Sequence, residues 1–415
     1  MRTHKCCRLP VLLPALLLAG LWLLGISGTL HAAGVVGDGT PGSCTDAEYA
    51  AAMAGGGLVT FDCGADPIAI IVNTQVVTGS TTIDGGGLVT LDGENLRQVF
   101  LVLGGGKLTL RDITVARGNF GNGGAIFVSA GGSLQMTGVT VRDSEADGGS
   151  NDGGAIQNAG TLVVVGSTFL RNHADDGGGA INNNGGTAAI RASTFISNTA
   201  LNGGALNNAG GSLDLYASLL YSNSVTNQGG GLFATAGTIT VTNVTVARNE
   251  AFRGGGVYGQ NTAVINLLNS TVYTNTASGA AGGIWNNTAD AGANVLLKNT
   301  IVAGNNDPVS GVLNCDGPAM RTLGHNLIGD GTCITPLASD LMNTDPQLGP
   351  PAANGGVTGS YAPLGGSPAI NAGDNSGCPA FDQRGYPRPI GPACDIGAVE
   401  RGSALWLTYL SKANE

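Results

Sequence analysis

A repeat of about 25 residues is the feature that most constrains how this chain folds. Pairs of glycines followed by a small and then an aliphatic residue recur, with the aliphatic residue at Ile126, Ile156, Ile181, Leu206, Leu232, Val257 and Ile284. A second pattern, two alternating apolar residues and a third five positions later, runs in step with it, as at Leu134, Met136 and Val141. Such a period is typical of solenoids, in which each repeat buries its apolar face by stacking on its neighbours.

Composition favours strands within these repeats. The 415 residues include 71 glycines and only 11% charged residues, and the abundant Val, Ile and Thr are residues that strands prefer. Short alternating segments broken by corners therefore predict an all-β fold, a parallel β-helix with like residues stacked at ~4.8 Å. About ten coils at that spacing make a rod roughly 50 Å long.

Glycine and asparagine mark the predicted corners. Paired glycines accept positive φ and let one coil lie close to the next. Two asparagine series share the period: Asn172, Asn198, Asn223, Asn249 and Asn275, and then Asn158, Asn183 and Asn208. Asparagine adopts the left-handed region and bonds to nearby backbone. We interpret both series as ladders that satisfy corner amides, with ligand binding as the alternative.

The first 33 residues have the pattern of a secretory signal peptide. Arg2, Lys5 and Arg8 precede an apolar run over 9–24, and small residues follow. Without this segment the chain has 15 basic and 28 acidic residues, a net charge near −13. That charge disfavours nucleic acid and anionic membranes as partners. After signal cleavage we expect no segment that spans a membrane.

Six cysteines remain after the signal peptide, as three near-neighbour pairs: Cys44 with Cys63, Cys315 with Cys333, and Cys378 with Cys394. Other connectivities are open, but we favour local pairing. Each short loop would be stabilised by roughly 3 kcal/mol in the chain-entropy model. Disulfides persist in oxidising compartments. The cysteines and the signal peptide thus both predict a secreted, extracellular or cell-surface protein.

The open ends of a solenoid need caps. We divide the chain into signal peptide, N-terminal cap with first coils, β-helix repeats, C-terminal cap and tail, over 1–33, 34–79, 80–305, 306–400 and 401–415. Thr45, with Glu48 three residues later and Gly55 after an alanine-rich turn, predicts a short capping helix. The C-terminal cap is expected to be stapled by disulfides.

The repeats resemble those of a known family. "GGAI" at 123–126 and 153–156 and "GGAL" at 203–206 alternate with "FLRN" at 169–172 and "FISN" at 195–198. They are similar to the GGA(I/L/V) and FxxN repeats of chlamydial-type polymorphic outer-membrane proteins, over about residues 80–305. The resemblance implies a right-handed parallel β-helix, a pectin-lyase-like solenoid of adhesin type.

The C-terminal segment resembles a second known module. It reads "DPQLGP", "GGSPAINAG", "CPAFDQRGYPRP" and "CDIGAVE" between about 344 and 400. It is similar to the choice-of-anchor Q module of secreted bacterial β-helix proteins. This resemblance implies a surface-associated or extracellular protein, and it implies no catalysis.

Charged residues of neighbouring coils are the main candidates for catalysis. Stacked coils would bring together Arg117, Asp143, Glu145, Arg171 and His173, beside the insertion "DGGSND". β-Helix folds include polysaccharide lyases, which need a base and a cation that neutralises a carboxylate, and hydrolases, which need paired carboxylic acids. Ordinary cross-strand ion pairs explain the same pattern, and we favour that interpretation.

The residue after each Gly-pair aliphatic position is expected to point outward, which applies to Phe127, Gln157, Asn182, Asn207, Phe233, Tyr258 and Trp285. Of these, Phe233, Tyr258 and Trp285 form an aromatic row and are candidate ligand-binding residues. Stacked aromatic rings suit the binding of sugars, but stacking on each other or under a loop is the simpler explanation.

These patterns favour a non-enzymatic adhesive or structural display scaffold. The alternatives are a polysaccharide lyase or glycoside hydrolase acting on an extracellular glycan, and a carbohydrate-binding module. Expected partners are an extracellular polysaccharide or another cell-surface component. No metal site or cofactor is predicted, apart from weak calcium binding at isolated Asp-Gly turns.

Overall fold

The computed structural model describes residues 32–287, 295–309, 311 and 314–401. These residues form a parallel β-solenoid of about eleven turns with little helix, which confirms the predicted fold class. The predicted signal peptide and tail lie outside the described residues, except for 32–33 and 401. Within the described ranges, no helix is long and apolar enough to cross a membrane.

Within the described residues, four parallel sheets make up the walls. Sheet I contains Ala32–Val36, Gly57–Phe61, Ser80–Asp84, Lys107–Arg111, Ser133–Thr137, Thr161–Val165, Thr187–Arg191, Ser212–Tyr216, Thr238–Thr242, Val264–Leu268, Val295–Lys298 and Arg321–Thr322. Sheet II contains Gln75–Val77, Phe100–Val102, Ile126–Val128, Ile156–Asn158, Ile181–Asn183, Leu206–Asn208, Leu232–Ala234, Val257–Gln260, Ile284–Asn287 and Cys315–Asp316.

Sheet III contains Ile68–Ile71, Val89–Asp92, Thr114–Ala116, Thr140–Arg142, Thr168–Leu170, Thr194–Ile196, Leu219–Tyr221, Thr245–Ala247, Thr271–Tyr273, Ile301–Ala303, Leu327–Ile328 and Leu341–Met342. Sheet IV contains Glu145–Ala146, His173–Ala174, Thr199–Asn202, Ser224–Gln228, Glu250–Arg253 and Thr276–Ala280. A full coil passes through sheets I, III, IV and II in that order. Successive coils therefore pair strand on strand.

The core consists of the alternating apolar positions. Leu134 and Met136 in sheet I are fully buried, whereas Gln135 between them is exposed. Burying one such apolar side chain contributes about 1.5–3 kcal/mol. Phe169 and Phe195 stack in sheet III with their ring centroids 4.7 Å apart, which is the spacing of neighbouring strands. The predicted apolar ladders are confirmed.

The two glycines of each pair have different tasks. Gly229 has a φ of 67°, in the left-handed region that glycine adopts without strain. A Cβ on the following Gly230 would overlap the carbonyl oxygen of Gly255 and lie 2.6 Å from that of Glu250, both in the next coil. The pair therefore turns the corner and lets the coils approach, as predicted.

The first asparagine series forms a buried ladder. Asn198 Oδ1 accepts from the backbone N–H and the Nδ2 of Asn172, at 3.0 and 2.9 Å. Asn223 Oδ1 accepts from the same two groups of Asn198. Each Nδ2 also donates to a backbone carbonyl, for example Asn198 to Phe169 at 3.1 Å. The ladder continues past the predicted positions to Asn305 and Asn314.

One detail of the corner prediction is wrong. The left-handed residue of this corner is the one before each asparagine, such as Ser197 with a φ of 55°. The asparagine itself is needed for its amide, which bonds to two coils at once. The second asparagine series is also a ladder, with Nδ2 to Oδ1 distances of 2.8 Å from Asn158 to Asn183 and 2.7 Å from Asn183 to Asn208.

The N-terminal cap is as predicted. The helix Asp46–Met53 follows a 3₁₀ turn over Pro41–Ser43, and Thr45 Oγ1 accepts from the backbone N–H of Glu48 at 3.3 Å. A disulfide joins Cys44 to Cys63. The other two predicted disulfides, Cys315 to Cys333 and Cys378 to Cys394, are also present.

The C-terminal segment over 344–400 lies along the outer face of sheet III and not only at the end of the rod. Gln383 Nε2 donates to the carbonyl of Ser218 at 3.2 Å, and Gln383 Oε1 accepts from Thr245 Oγ1 at 2.6 Å. One coil further on, Thr271 Oγ1 accepts from the backbone N–H of Ala398 at 3.0 Å. The segment thus straps several coils together.

Buried charges lie inside this C-terminal segment. Arg388 and Glu400 are fully buried, with Nε and Oε2 3.6 Å apart. The buried Asp395 carboxylate accepts from the backbone N–H groups of Asn371 and Arg401. Burial, and then repulsion from Glu400, raise the pKa of the Asp395 carboxyl to about 6.

This shift makes the stability of the C-terminal segment depend on pH. Asp395 has an ordinary pKa of 3.8, so between about pH 4 and 6 the folded chain keeps a proton that the unfolded chain has released. The free energy of unfolding is therefore expected to fall as pH rises through this window, by at most about 3 kcal/mol. Denaturant unfolding of wild type and Asp395→Asn across the window measures it. Asp395→Asn should lose this part of the dependence of unfolding free energy on pH. Equal slopes against pH in wild type and Asp395→Asn would contradict the prediction.

Candidate functional site

The predicted charged residues lie on one corner, between sheets III and IV. In the seven coils whose sheet III core residues run from Val115 to Val272, we define the corner groove as the residues two and four positions past that core residue. These are Arg117, Asn119, Asp143, Glu145, Arg171, His173, Ser197, Thr199, Ser222, Ser224, Arg248, Glu250, Thr274 and Thr276. From Arg117 to Thr274 the first position of each coil has φ between 51° and 56°. From Glu145 to Thr276 the second position pairs in register with the next coil.

The backbone of this corner explains why the side chains form columns. Non-glycine residues adopt left-handed φ at some cost in energy, and here seven coils repeat that conformation. Since the strands on both sides are in register, the same corner recurs at every coil. Side chains therefore stack at about the strand spacing, near enough for ion pairing between coils.

Ion pairs occupy the N-terminal half of the corner groove. Asp143 accepts from Arg171 Nε of the next coil at 2.7 Å and from Arg142 Nη1 at 2.7 Å. Arg117 donates from Nε to Asp92 of the preceding coil at 2.9 Å. The structure thus brings Asp143 and Arg171 into direct contact, while Arg117 pairs with a carboxylate that the sequence reasoning missed.

Two carboxyl groups in or beside this half, those of Asp143 and Asp175, have a pKa below the ordinary value. Partial burial works to raise the pKa of the Asp143 carboxyl, but the hydrogen bonds from Arg171 and Arg142 outweigh it, and the pKa lies below its ordinary value. At Asp175, a hydrogen bond from the backbone N–H of Gly149 is the largest of the causes that lower the pKa of the carboxyl. A general acid needs the opposite shift, toward the working pH.

His173 is half-exposed and has two polar neighbours. Its Nδ1 lies 2.9 Å from Thr199 Oγ1, and its Nε2 lies 3.5 Å from Asp175 Oδ1. Glu145 pairs with His173 in the strand register, so its Cα lies one coil away. The five predicted residues therefore share one face of the rod, but they do not converge on a single point.

The C-terminal half of the corner groove opens into a polar pocket of about 340 Å³, lined by Ser222, Asn223, Ser224, Arg248, Glu250, Thr274 and Thr276. The guanidinium of Arg248 lies 5.8 Å from the ring centroid of Tyr221. This part of the surface offers hydroxyls, one cation, one carboxylate and an adjacent aromatic ring. Such a mixture suits hydroxyl-rich ligands.

The aromatic row points outward as predicted, but another segment covers it and the rings stack on each other, as the simpler explanation expected. The row is therefore not an exposed platform for sugars. Its side chains point away from the core, but Tyr258 is fully buried, Phe233 is 6% exposed and Trp285 is half-buried. The end of the sheet IV strands folds over them: Gln228 Nε2 donates to the Tyr258 hydroxyl at 3.1 Å, and the Arg253 guanidinium lies 5.2 Å from the Trp285 ring. The rings stack in sequence, with Tyr258 and Trp285 centroids 6.1 Å apart.

Polar residues continue this covered row toward the N-terminus. Gln157, Asn182 and Asn207 stand at the positions that Phe233 and Tyr258 occupy further along. All three are buried, and four of their side-chain polar atoms have no hydrogen-bond partner. The sequence placed these residues on an outward row but gave no sign that a strand covers them.

No group of three or more His, Cys, Asp or Glu side chains suited to a metal occurs within the described residues. No protein-family model matches the chain, and neither curated proteins nor solved structures gave a match. The fold defines the class, a parallel β-solenoid with disulfide-held ends, and the corner groove is its candidate functional surface.

Proposed function

We propose that this protein is a secreted or cell-surface display scaffold, whose rigid β-helix presents the corner groove to a partner outside the cell. The observation that supports this proposal best is the pairing of the charged groove residues. Asp143 and Arg171 are bonded across coils, and the pKa of Asp143 lies below its ordinary value. These groups shape a fixed pattern of charge on the surface, which is what recognition requires.

Rigidity supports the same proposal. The corner groove belongs to continuous sheets with buried amide ladders beneath them, and the C-terminal segment straps the outside. Sites built on regular elements keep their geometry better than sites on loops. The three disulfides are consistent with an extracellular protein.

A glycan is the partner that the C-terminal half of the groove favours. Ser222, Ser224, Thr274 and Thr276 supply hydroxyls around Arg248 and Glu250 in the pocket, and a sugar polymer presents hydroxyls at a regular spacing. Binding along several coils would multiply weak contacts. Carbohydrate binding is therefore our second candidate function. We place it in this groove and not on the aromatic row, which is covered.

The proposal is tested with the chain from Gly34 onward and a panel of acidic and neutral polysaccharides, with and without calcium. We expect retention on at least one polymer and no new reducing ends or unsaturated uronate. Arg248→Ala should weaken retention at least about tenfold, the loss of a charged hydrogen bond worth about 1.4 kcal/mol or more. Binding is measured by affinity electrophoresis, and products by reducing-end assay and absorbance.

Arg191→Ala is the matched control. Arg191 also lies over a tyrosine ring, 5.5 Å from the centroid of Tyr216, but outside the corner groove. Its replacement should leave retention unchanged. Product formation that disappears in His173→Ala would overturn the scaffold proposal and make the N-terminal half of the groove an active site. Retention that falls equally in both arginine variants would remove the groove as the binding surface.

A further inference from the structure

The covered polar row behaves differently from the asparagine ladder beside it. Asn158 and Asn183 are linked at 2.8 Å across one coil step. Gln157 and Asn182, one residue earlier in the same two strands, are in the same parallel register. Yet Gln157 Oε1 and both polar atoms of Asn182 have no partner, although both side chains are buried. Identical spacing satisfies one row of amides and leaves the other unsatisfied.

A buried polar atom without a partner destabilises the fold by about 1–3 kcal/mol. Asn207 Oδ1 is also without a partner, so the row carries several such penalties in three consecutive coils. Apolar residues would avoid them, and the same row does carry Phe233 and Tyr258 further along. The amides therefore point to something polar that binds among them.

The repeat places a carboxylate over this row. Gln228 bonds to Tyr258, and Arg253 lies over Trp285. In each pair the first residue belongs to a covering strand, and the second is the row residue of the next coil. At the equivalent position, Gly177 lies against Asn207, and a Cβ on Gly177 would lie 2.8 Å from Asp152 Oδ1. Asp152 Oδ1 accepts from the backbone N–H of Gly177 at 2.9 Å, and the repeat assigns Asp152 to the covering position of Asn182.

These residues offer the oxygen donors that calcium prefers. Amide carbonyls and carboxylates bind calcium at about 2.3–2.6 Å, and strands lie about 4.8 Å apart, so one ion fits between amide oxygens of adjacent coils. The Asn182 amide can be turned so that Oδ1 faces the ion, because no hydrogen bond fixes which of Oδ1 and Nδ2 points there. Asp152 is half-buried, which leaves a path for an ion.

We propose that Asp152, Gln157, Asn182 and Asn207 form a calcium-binding site beneath the strands of sheet IV. The neighbouring Asp176 adds negative charge, and its Oδ1 accepts from Asn202 Nδ2 at 3.3 Å. Burial is the main reason that the pKa of the Asp152 carboxyl is raised to about 6, a penalty that a bound cation relieves. The ion would tie adjacent coils to the covering strands.

The test is a calcium titration of the chain from Gly34 onward after treatment with EDTA. We expect a dissociation constant of about 0.1–1 mM, as in extracellular calcium modules, and a higher unfolding midpoint in calcium than in magnesium. Asp152→Asn and Asn182→Leu should each weaken binding at least about tenfold. Asp214→Asn, at an exposed carboxylate paired with Arg191 in sheet I, should bind like wild type.

Asn182→Leu also distinguishes lost binding from failure to fold. It fills the space with an apolar side chain and removes two unsatisfied polar atoms, so its unfolding midpoint in EDTA should equal or exceed that of wild type. No calcium effect on wild type would overturn the proposal and leave the row to ordered water. An equal calcium effect in wild type and in both site variants would place the ion elsewhere and overturn it as well.

Discussion

Replacing Asn223 with leucine will lower the free energy of unfolding by about 4 kcal/mol. Asn223 Oδ1 accepts from the backbone N–H and Nδ2 of Asn198. Its Nδ2 donates to the carbonyl of Phe195 at 3.1 Å and to Asn249 Oδ1 at 2.9 Å. Leucine removes all four bonds. Asn198 Nδ2 and Asn249 Oδ1 each keep one other bond, so the loss falls on the Asn198 backbone N–H and the Phe195 carbonyl. Each buried group that loses its only partner costs about 1–3 kcal/mol.

Asn182→Leu provides the matched control for this prediction. Asn182 is as deeply buried as Asn223, but its side chain has no partner to lose. In EDTA we expect its free energy of unfolding to be unchanged or to rise by about 1–3 kcal/mol, because leucine removes buried polar atoms that have no partner. Denaturant unfolding followed by circular dichroism compares the two. Equal losses of unfolding free energy in Asn223→Leu and Asn182→Leu would mean that the hydrogen bonds of the asparagine ladder add nothing to the stability of the fold.

The architecture could be predicted because its determinants repeat. A step of about 25 residues fixes which residues stack, and in a parallel stack the register follows from the repeat itself. The amide ladder followed from Asn172, Asn198 and Asn223, and it could have been extended to Asn305, which also comes three residues after a buried sheet III residue, Val302.

That the outward-facing aromatic row is covered could not be predicted from the same pattern. Alternation tells which side of a strand faces the core, but not whether another segment covers the other side. The covering strands, such as Glu250–Arg253, are short and have little apolar periodicity. Only the three-dimensional path of the coil shows that Tyr258 lies beneath them.

The candidate site was predicted in its location but not in its pairings. Arg117, Asp143 and Arg171 recur two residues past a core position, so their shared corner followed from the period. Asp92, the partner of Arg117, lies well before the first GGAI motif at 123–126, where the repeat gives no register. The docking of Gln383 on Ser218 joins residues 165 positions apart and has no local signal.

Gly230→Ala is expected to have the largest effect of any single substitution considered for this chain, a loss of at least about 4 kcal/mol. The added Cβ would overlap the carbonyl oxygen of Gly255 and lie 2.7 Å from the backbone nitrogen of Glu250. These atoms belong to the backbone of the next coil, which is fixed by strand pairing on both sides. Neither coil can yield without breaking the ladder between them.

Gly79→Ala is the control. No atom lies within 4 Å of its added Cβ, and its φ is not positive, so alanine should be neutral or stabilise by up to about 1 kcal/mol. Denaturant unfolding of both variants measures the difference. Gly230→Ala as stable as Gly79→Ala would show that the coils can separate at this corner without loss.

The position of the damage distinguishes a local clash from general misfolding. In a solenoid each coil interacts mainly with its neighbours, so stability is close to a sum over adjacent pairs. A clash between Gly230 and the coil of Gly255 should loosen that junction first and leave the coils before it folded. Limited proteolysis of Gly230→Ala should therefore cut near 230–256 while the segment from 34 to about 205 stays protected. Uniform cleavage along the chain would instead mean that the rod folds as one cooperative unit.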